Sequence, residues 1–111
     1  MDTLAHYRHS VQQLLRQYAA IPYPYGDVEN QTVFDKVADH YLLLEIGWQG
    51  RQRVHGCVIH IDLIEGKVWI QCNNTDQRIA EELLQLGVPR DCIVLAFYPP
   101  ELRPHTEYAL A

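Results

Sequence analysis

The sequence predicts an α+β fold in two layers, an antiparallel sheet of four to five strands with two helices, in the order α-β-β-β-β-α-β. Three observations carry this. Apolar residues recur at three- and four-residue steps across residues 4–18, and alternation with period two takes over between residues 28 and 72. A second helical pattern with a glycine stop then precedes one last short apolar run. A chain of 111 residues is long enough for one core, and no repeat, low-complexity tract or linker divides it, so residues 1–111 read as a single domain.

Leu4, Tyr7, Val11, Leu14, Leu15 and Tyr18 give the first helix one apolar face, with Asp2 or Thr3 as its cap. His6, His9, Gln13 and Arg16 fall on the polar side. His9 and Gln13 stand one turn apart and read as a solvated face rather than a ligand pair. Pro22 and Pro24 end the helix in the stiff loop "IPYPYGD", where Tyr23 and Tyr25 are available to a contact surface. "VENQTVFDKV", "HYLLLEIGW", "RVHGCVIHIDLI" and "KVWIQC" then read as strands. Short connections at Ala38–Asp39, "QGRQ" and "EG" make them an antiparallel meander. Asn74 with Gln77 three residues on has the form of a capping box, Asp76 suits the first turn, and Gly87 is placed to stop the second helix. "VPRDCIVLAF" supplies a last short strand, which Pro99–Pro100 ends before an extended tail.

A two-residue turn at Glu65–Gly66 sets Leu63 against Val68, Ile61 against Ile70 and Ile59 against Cys72 on one face of the sheet. Asp62 against Trp69 and His60 against Gln71 fall on the other. Pairing Trp48 with Arg53 places Leu44 beside Cys57 and Leu42 beside Ile59. The predicted core face is then Leu42, Leu44, Ile46, Cys57, Ile59, Ile61, Val68, Ile70 and Cys72, with both helices packed on it. The opposite face collects Tyr41, Leu43, Val58 and Trp69, with Glu45, His60, Asp62 and Gln71 between them, and Phe34 joins if the first hairpin turns at Ala38–Asp39. A sheet face in water is normally more polar than this. Tyr41, Leu43, Val58, His60, Asp62 and Trp69 are therefore the candidate interface, covered by a second copy, another protein or one of the helices.

The densest chemistry lies in "HGCVIHIDLIEGKVWIQCN", residues 55–73. The register above parts it, sending Cys57 and Cys72 to the core and His60 and Asp62 to the other face. No C-x2-C spacing or similar ligand set is present, so no metal is predicted. Cys57, Cys72 and Cys92 read as reduced thiols in apolar runs, not as a disulfide framework. His60 and Asp62 share a face without a nucleophile: Ser10, the one serine, belongs to the first helix, and the glycines form no phosphate loop. No catalytic residue and no cofactor is predicted. The net charge is −5, and the one basic cluster is Arg51 with Arg53, which disfavours a grip on the DNA backbone. No apolar stretch approaches the roughly 20 residues of a membrane span. The N-terminus lacks a secretory pattern, and with the cysteine usage this places the expected compartment in the cytoplasm.

The segments "YRHSVQQLL", "QTVFD", "HYLLLEIGW", "GCVIHIDLIEGKVWIQ" and "LGVPRDCIVLAFYPP", in this order and spacing, resemble the XisI family, the fdxN-element excision controlling factors of cyanobacteria. The likeness covers nearly the whole chain. It implies a small α+β, non-enzymatic accessory or regulatory protein for excising a DNA element during heterocyst differentiation. It also implies an XisH-like partner of nuclease fold, with strand exchange left to a separate recombinase. It brings no catalytic motif. Self-association, a DNA-binding module using Arg51, Arg53 and Arg103, and a small enzyme using His60 and Asp62 stay open beside it.

Overall fold

Helix α1 (Thr3–Ala19) follows the predicted periodicity: Tyr7, Val11, Leu14 and Leu15 are buried, while His6, His9, Gln13 and Arg16 are exposed. The structure, a computed structural model, describes residues 3–22 and 27–111, so Asp2 as a cap and Tyr23 and Tyr25 as contact residues lie outside the described residues. The meander forms as β1 (Asp27–Asp35), β2 (His40–Gln49), β3 (Gln52–Ile64) and β4 (Lys67–Asn73), each antiparallel to the next. Helix α2 (Ile79–Gln85) leads to β5 (Ile93–Leu95), which pairs in parallel with β4 and completes a five-stranded sheet in chain order. The sheet is therefore mixed rather than wholly antiparallel. A helical crossover carries the chain back to the end of the sheet where β4 began, and a strand entered there runs the same way as β4.

Both helices lie on the face bearing Ile59, Ile61 and Ile70, as the alternation predicts. Val11, Leu14 and Leu15 of α1 and Ile79 and Leu83 of α2 share one core cluster with those residues. The start of α2 differs from the capping box expected at Asn74. Asn73 takes the Thr75 amide and hydroxyl onto its side-chain oxygen, Asn74 donates to the Cys57 carbonyl, and the helix begins only at Ile79. Those short polar side chains satisfy a loop instead of a helix end. The stop is as predicted. Gly87 adopts φ 97° and donates to the Leu84 carbonyl while Val88 donates to that of Leu83, a Schellman pair.

Two β-bulges decide which side chains face the helices. The hairpin register is as predicted from Trp48↔Arg53 through Leu44↔Cys57, but β3 then carries Val58 as an extra residue, and the next pairs are Leu43↔Ile59 and Tyr41↔Ile61. In β4 the extra residue is Gln71: Ile61↔Ile70 and Asp62↔Trp69 hold, after which His60 pairs with Cys72 and Ile59 with Asn73. A single inserted residue exchanges the two faces of everything beyond it. Tyr41 and Leu43 are accordingly in the core at 0% and 1% exposure, and Val58 packs against it. This corrects their expected place on the outer face. Leu42, Leu44, Ile46, Cys57 and Cys72 move to the outer face in exchange.

Tyr41 sits beside Phe34, ring centroids 5.7 Å apart, and donates its hydroxyl to Asp39 at 2.9 Å. Burial raises its pKa to about 12, with the Asp39 hydrogen bond adding to the shift. Asp39 also accepts from Arg8 Nε and Nη2, at 2.8 and 3.1 Å, and these hold its carboxyl below the usual range. A lowered folded-state pKa stabilises the fold above the ordinary carboxylate range and ceases to do so as pH falls through the folded value. Asp39→Asn, which suits the left-handed backbone there (φ 61°), should cost about 1–2 kcal/mol at neutral pH after allowance for solvent screening of the partly exposed Arg8. Unfolding titrations should show the gap between the two proteins constant near neutrality and closing below about pH 4. A gap that persists at pH 2 would contradict the ion pair as its origin.

β1 ends at Asp35, two residues earlier than expected, because its carboxylate accepts the Val37 and Ala38 amides and shapes a four-residue turn. At the far end of the same pair, Gly47 lies against β1 so closely that a Cβ would stand 1.9 Å from the Asp27 carbonyl oxygen. Gly47→Ala should therefore prise β1 from β2 and cost about 2 kcal/mol. Hydrogen exchange is the measurement to make, with protection lost first at the β1–β2 amides.

Candidate functional site on the open sheet face

The helices cover one face of the sheet, and the C-terminal segment covers part of the other. Arg103 lies over the Trp69 ring at 5.5 Å and donates to the Tyr98 and Leu110 carbonyls, and Ala109 bridges Val94 along the β5 edge. Val94, opposite Trp69, is fully buried. Trp69 is thus on the outer face, as expected, but its ring is shared with this chain's own tail.

The tail leaves the β1–β3 half open. Leu42, Leu44 and Ile46 of β2 are half-buried and outside the core cluster, and Val33 and Trp48 flank them at 46% and 48% exposure. Cys57 is level with Leu44, His55 with Ile46 and Arg53 with Trp48, where the guanidinium stands 5.2 Å from the indole centroid. Burial pushes the Cys57 thiol up to about 11, with the neighbouring Cys72 thiol adding to it, so Cys57 is a poor nucleophile at neutral pH.

At one end of this stripe stands the polar cluster. His40 opens β2 directly opposite Asp62 of β3, and His60 lies two residues before Asp62 on the same face. His40 Nδ1 and His60 Nε2 each approach the same carboxylate oxygen of Asp62 at 2.8 Å, and Gln71 donates to the other oxygen at 3.3 Å. Asp62 is buried, with 7% exposure. Its hydrogen bond raises the His40 pKa.

The structure therefore unites what the predicted register had parted: His60, Asp62, Cys57 and Cys72 share one face, and His40 joins them. His40, His60 and Asp62 thereby bring three potential ligand atoms within 4.8 Å of one another, a grouping that the predicted register did not contain. His40 was missed because it lies outside residues 55–73, next to a turn. Its signal was available, since a first hairpin closing at Asp39 brings His40 toward the end of β3. The bulge also left a trace, the unbroken "CVI" at Cys57–Ile59 where strict alternation requires a polar residue.

Two other assemblages do not form. Arg53 and Asp62 are nine residues apart on β3, about 30 Å at strand rise, and Trp69 with Arg103 above it is opposite Asp62. Arg103 therefore does not converge with Arg51 and Arg53. Ser10 is buried in α1 with its hydroxyl toward the Leu86 carbonyl, away from His60. No helix among the described residues is long and apolar enough to cross a membrane.

These features define a class: a small α+β protein whose mixed sheet is backed by two helices on one face and left partly open and apolar on the other. A family model described as XisI protein matches residues 1–110, and the chain belongs to the XisI family. Among solved structures it is similar to a XisI-like protein from Anabaena variabilis ATCC 29413, with 44% identity and a TM-score of 0.91 over 97% of this chain and 99% of that one. It is also similar to the fdxN element excision controlling factor XisI from the same organism, with 35% identity and a TM-score of 0.84 over 99% of this chain and 100% of that one. No curated protein matches.

Proposed function

We propose that the chain is a non-enzymatic accessory factor in excision of a DNA element, acting by contact with an XisH-like protein through the open half of its sheet. The observation that carries this is the stripe Leu42, Leu44, Ile46 and Trp48, apolar side chains on a sheet face that the tail does not reach. Such a stripe costs free energy in water, and a partner that covers it lowers that cost. Trp48 with Arg53 over it joins an aromatic ring and a cation, the residue types enriched at energetic centres of interfaces. The family supports the excision role: a solved relative is named an excision controlling factor. The acidic balance of the chain fits a partner with basic groups better than it fits DNA.

Co-purification of the chain with an XisH-like protein, followed by a salt series, tests the reading. A 1:1 or higher complex that weakens with salt is the expected result. A chain that ignores the partner but shifts DNA on its own would establish the DNA-binding reading in its place.

A further inference from the structure

The open face carries a second feature that partner docking does not explain. His40 Nδ1, His60 Nε2 and one oxygen of Asp62 lie within 4.8 Å of one another, and all three residues belong to paired strands. Two of them are cross-strand neighbours and the third is two residues along the same strand, so sheet geometry alone holds the donors together. Gln71 steadies the free carboxylate oxygen, the second-layer contact that fixes a metal-binding carboxylate.

We propose that His40, His60 and Asp62 form a binding site for a zinc-like divalent cation, with its remaining coordination position open to solvent. Zinc sits roughly 2.0–2.2 Å from nitrogen and carboxylate donors, which separates tetrahedral donors by about 3.4 Å. Reaching that geometry means opening the two 2.8 Å contacts by about half an ångström and bringing the two imidazole nitrogens, which lie within 4.8 Å of each other, to the same separation. The shift is small for His40, whose side chain is 52% exposed. Two imidazoles with one carboxylate suit zinc and its late first-row neighbours, whereas magnesium and calcium ask for oxygen donors throughout. Three protein ligands and an open position are the pattern of zinc sites that accept a further ligand. This replaces the expectation of no metal, which rested on residues 55–73 and did not include His40.

Zinc is titrated into the reduced, chelator-treated protein in competition with a chromophoric chelator, and cobalt is added separately as an optical probe. One zinc per chain at micromolar or tighter affinity is expected, with cobalt bands free of thiolate charge transfer. His40→Gln and His60→Gln should each weaken binding by at least about tenfold, while the double variant Cys57→Ser, Cys72→Ser should bind as the parent does. Absence of zinc binding to the parent overturns the proposal. Loss of binding in the double serine variant with retention in His40→Gln also overturns it, by moving the metal to the thiols. His40 is the most exposed of the three ligands, so a His40→Gln protein that melts as the parent does and binds zinc equally well is decisive against the site. Metal binding is read without any partner protein, so its failure leaves the partner proposal standing.

Discussion

Tyr41→Ala should lower the unfolding free energy by about 4 kcal/mol, a loss of roughly 15 °C in melting temperature for a chain of this size. The ring is fully buried, fills the space between Phe34 and the helix-facing isoleucines, and supports Asp39 through its hydroxyl. Alanine removes all of this and leaves a cavity in a sheet whose other side carries no helix among the described residues to collapse inward. Tyr41→Phe separates the contributions, since it keeps the packing and deletes one hydrogen bond, for about 1 kcal/mol. Thermal and denaturant unfolding of both variants give the comparison. A Tyr41→Ala protein as stable as the parent but defective in partner binding would restore Tyr41 to the outer surface and refute the bulge at Val58.

Leu44→Glu should do the reverse, leaving stability within about 1 kcal/mol of the parent while weakening the XisH-like partner by on the order of a hundredfold. Leu44 lies in the middle of the open stripe, flanked on β2 by Leu42 and Ile46 and opposite Cys57 on β3, and is not part of the core cluster. A carboxylate there remains solvated in the free protein and must be desolvated without a partner in the complex. Calorimetric titration against the partner, with melting curves of the same samples, reads both quantities. Unchanged affinity would remove the β1–β3 face from the interface and leave the surface around Trp69 and the tail as the alternative contact. Leu43→Ala, one residue away on the other face, should show the opposite pair of effects.

The contrast between neighbouring residues 43 and 44 marks where sequence reasoning stops. Local pattern determined the element order, the apolar face of α1, the Gly87 stop, the pairing of Trp48 with Arg53 across "QGRQ" and the two-residue turn at Glu65–Gly66, because each depends on interactions within a few residues. The same alternation determined that Ile59, Ile61, Val68 and Ile70 form the floor beneath both helices. It also marked a second apolar face, but assigned it Tyr41, Leu43 and Val58 where the structure has Leu42, Leu44 and Ile46.

Only the tertiary structure decided the side on which each of those residues lies. A period-two pattern carries no phase information across a bulge, and Leu42, Leu43 and Leu44 are chemically the same residue, so the sequence reads equally well in either phase. What selects the phase is packing: α1 demands a large ring at Tyr41, where Phe34 and Asp39 can meet it, and Val58 bulges to allow that. The same displacement carries Cys57 outward and leaves His60 and Asp62 facing His40, while the second bulge, at Gln71, carries Cys72 outward. The polar cluster on the open face is a product of that phase, settled by contacts between residues more than twenty positions apart and beyond the reach of local pattern.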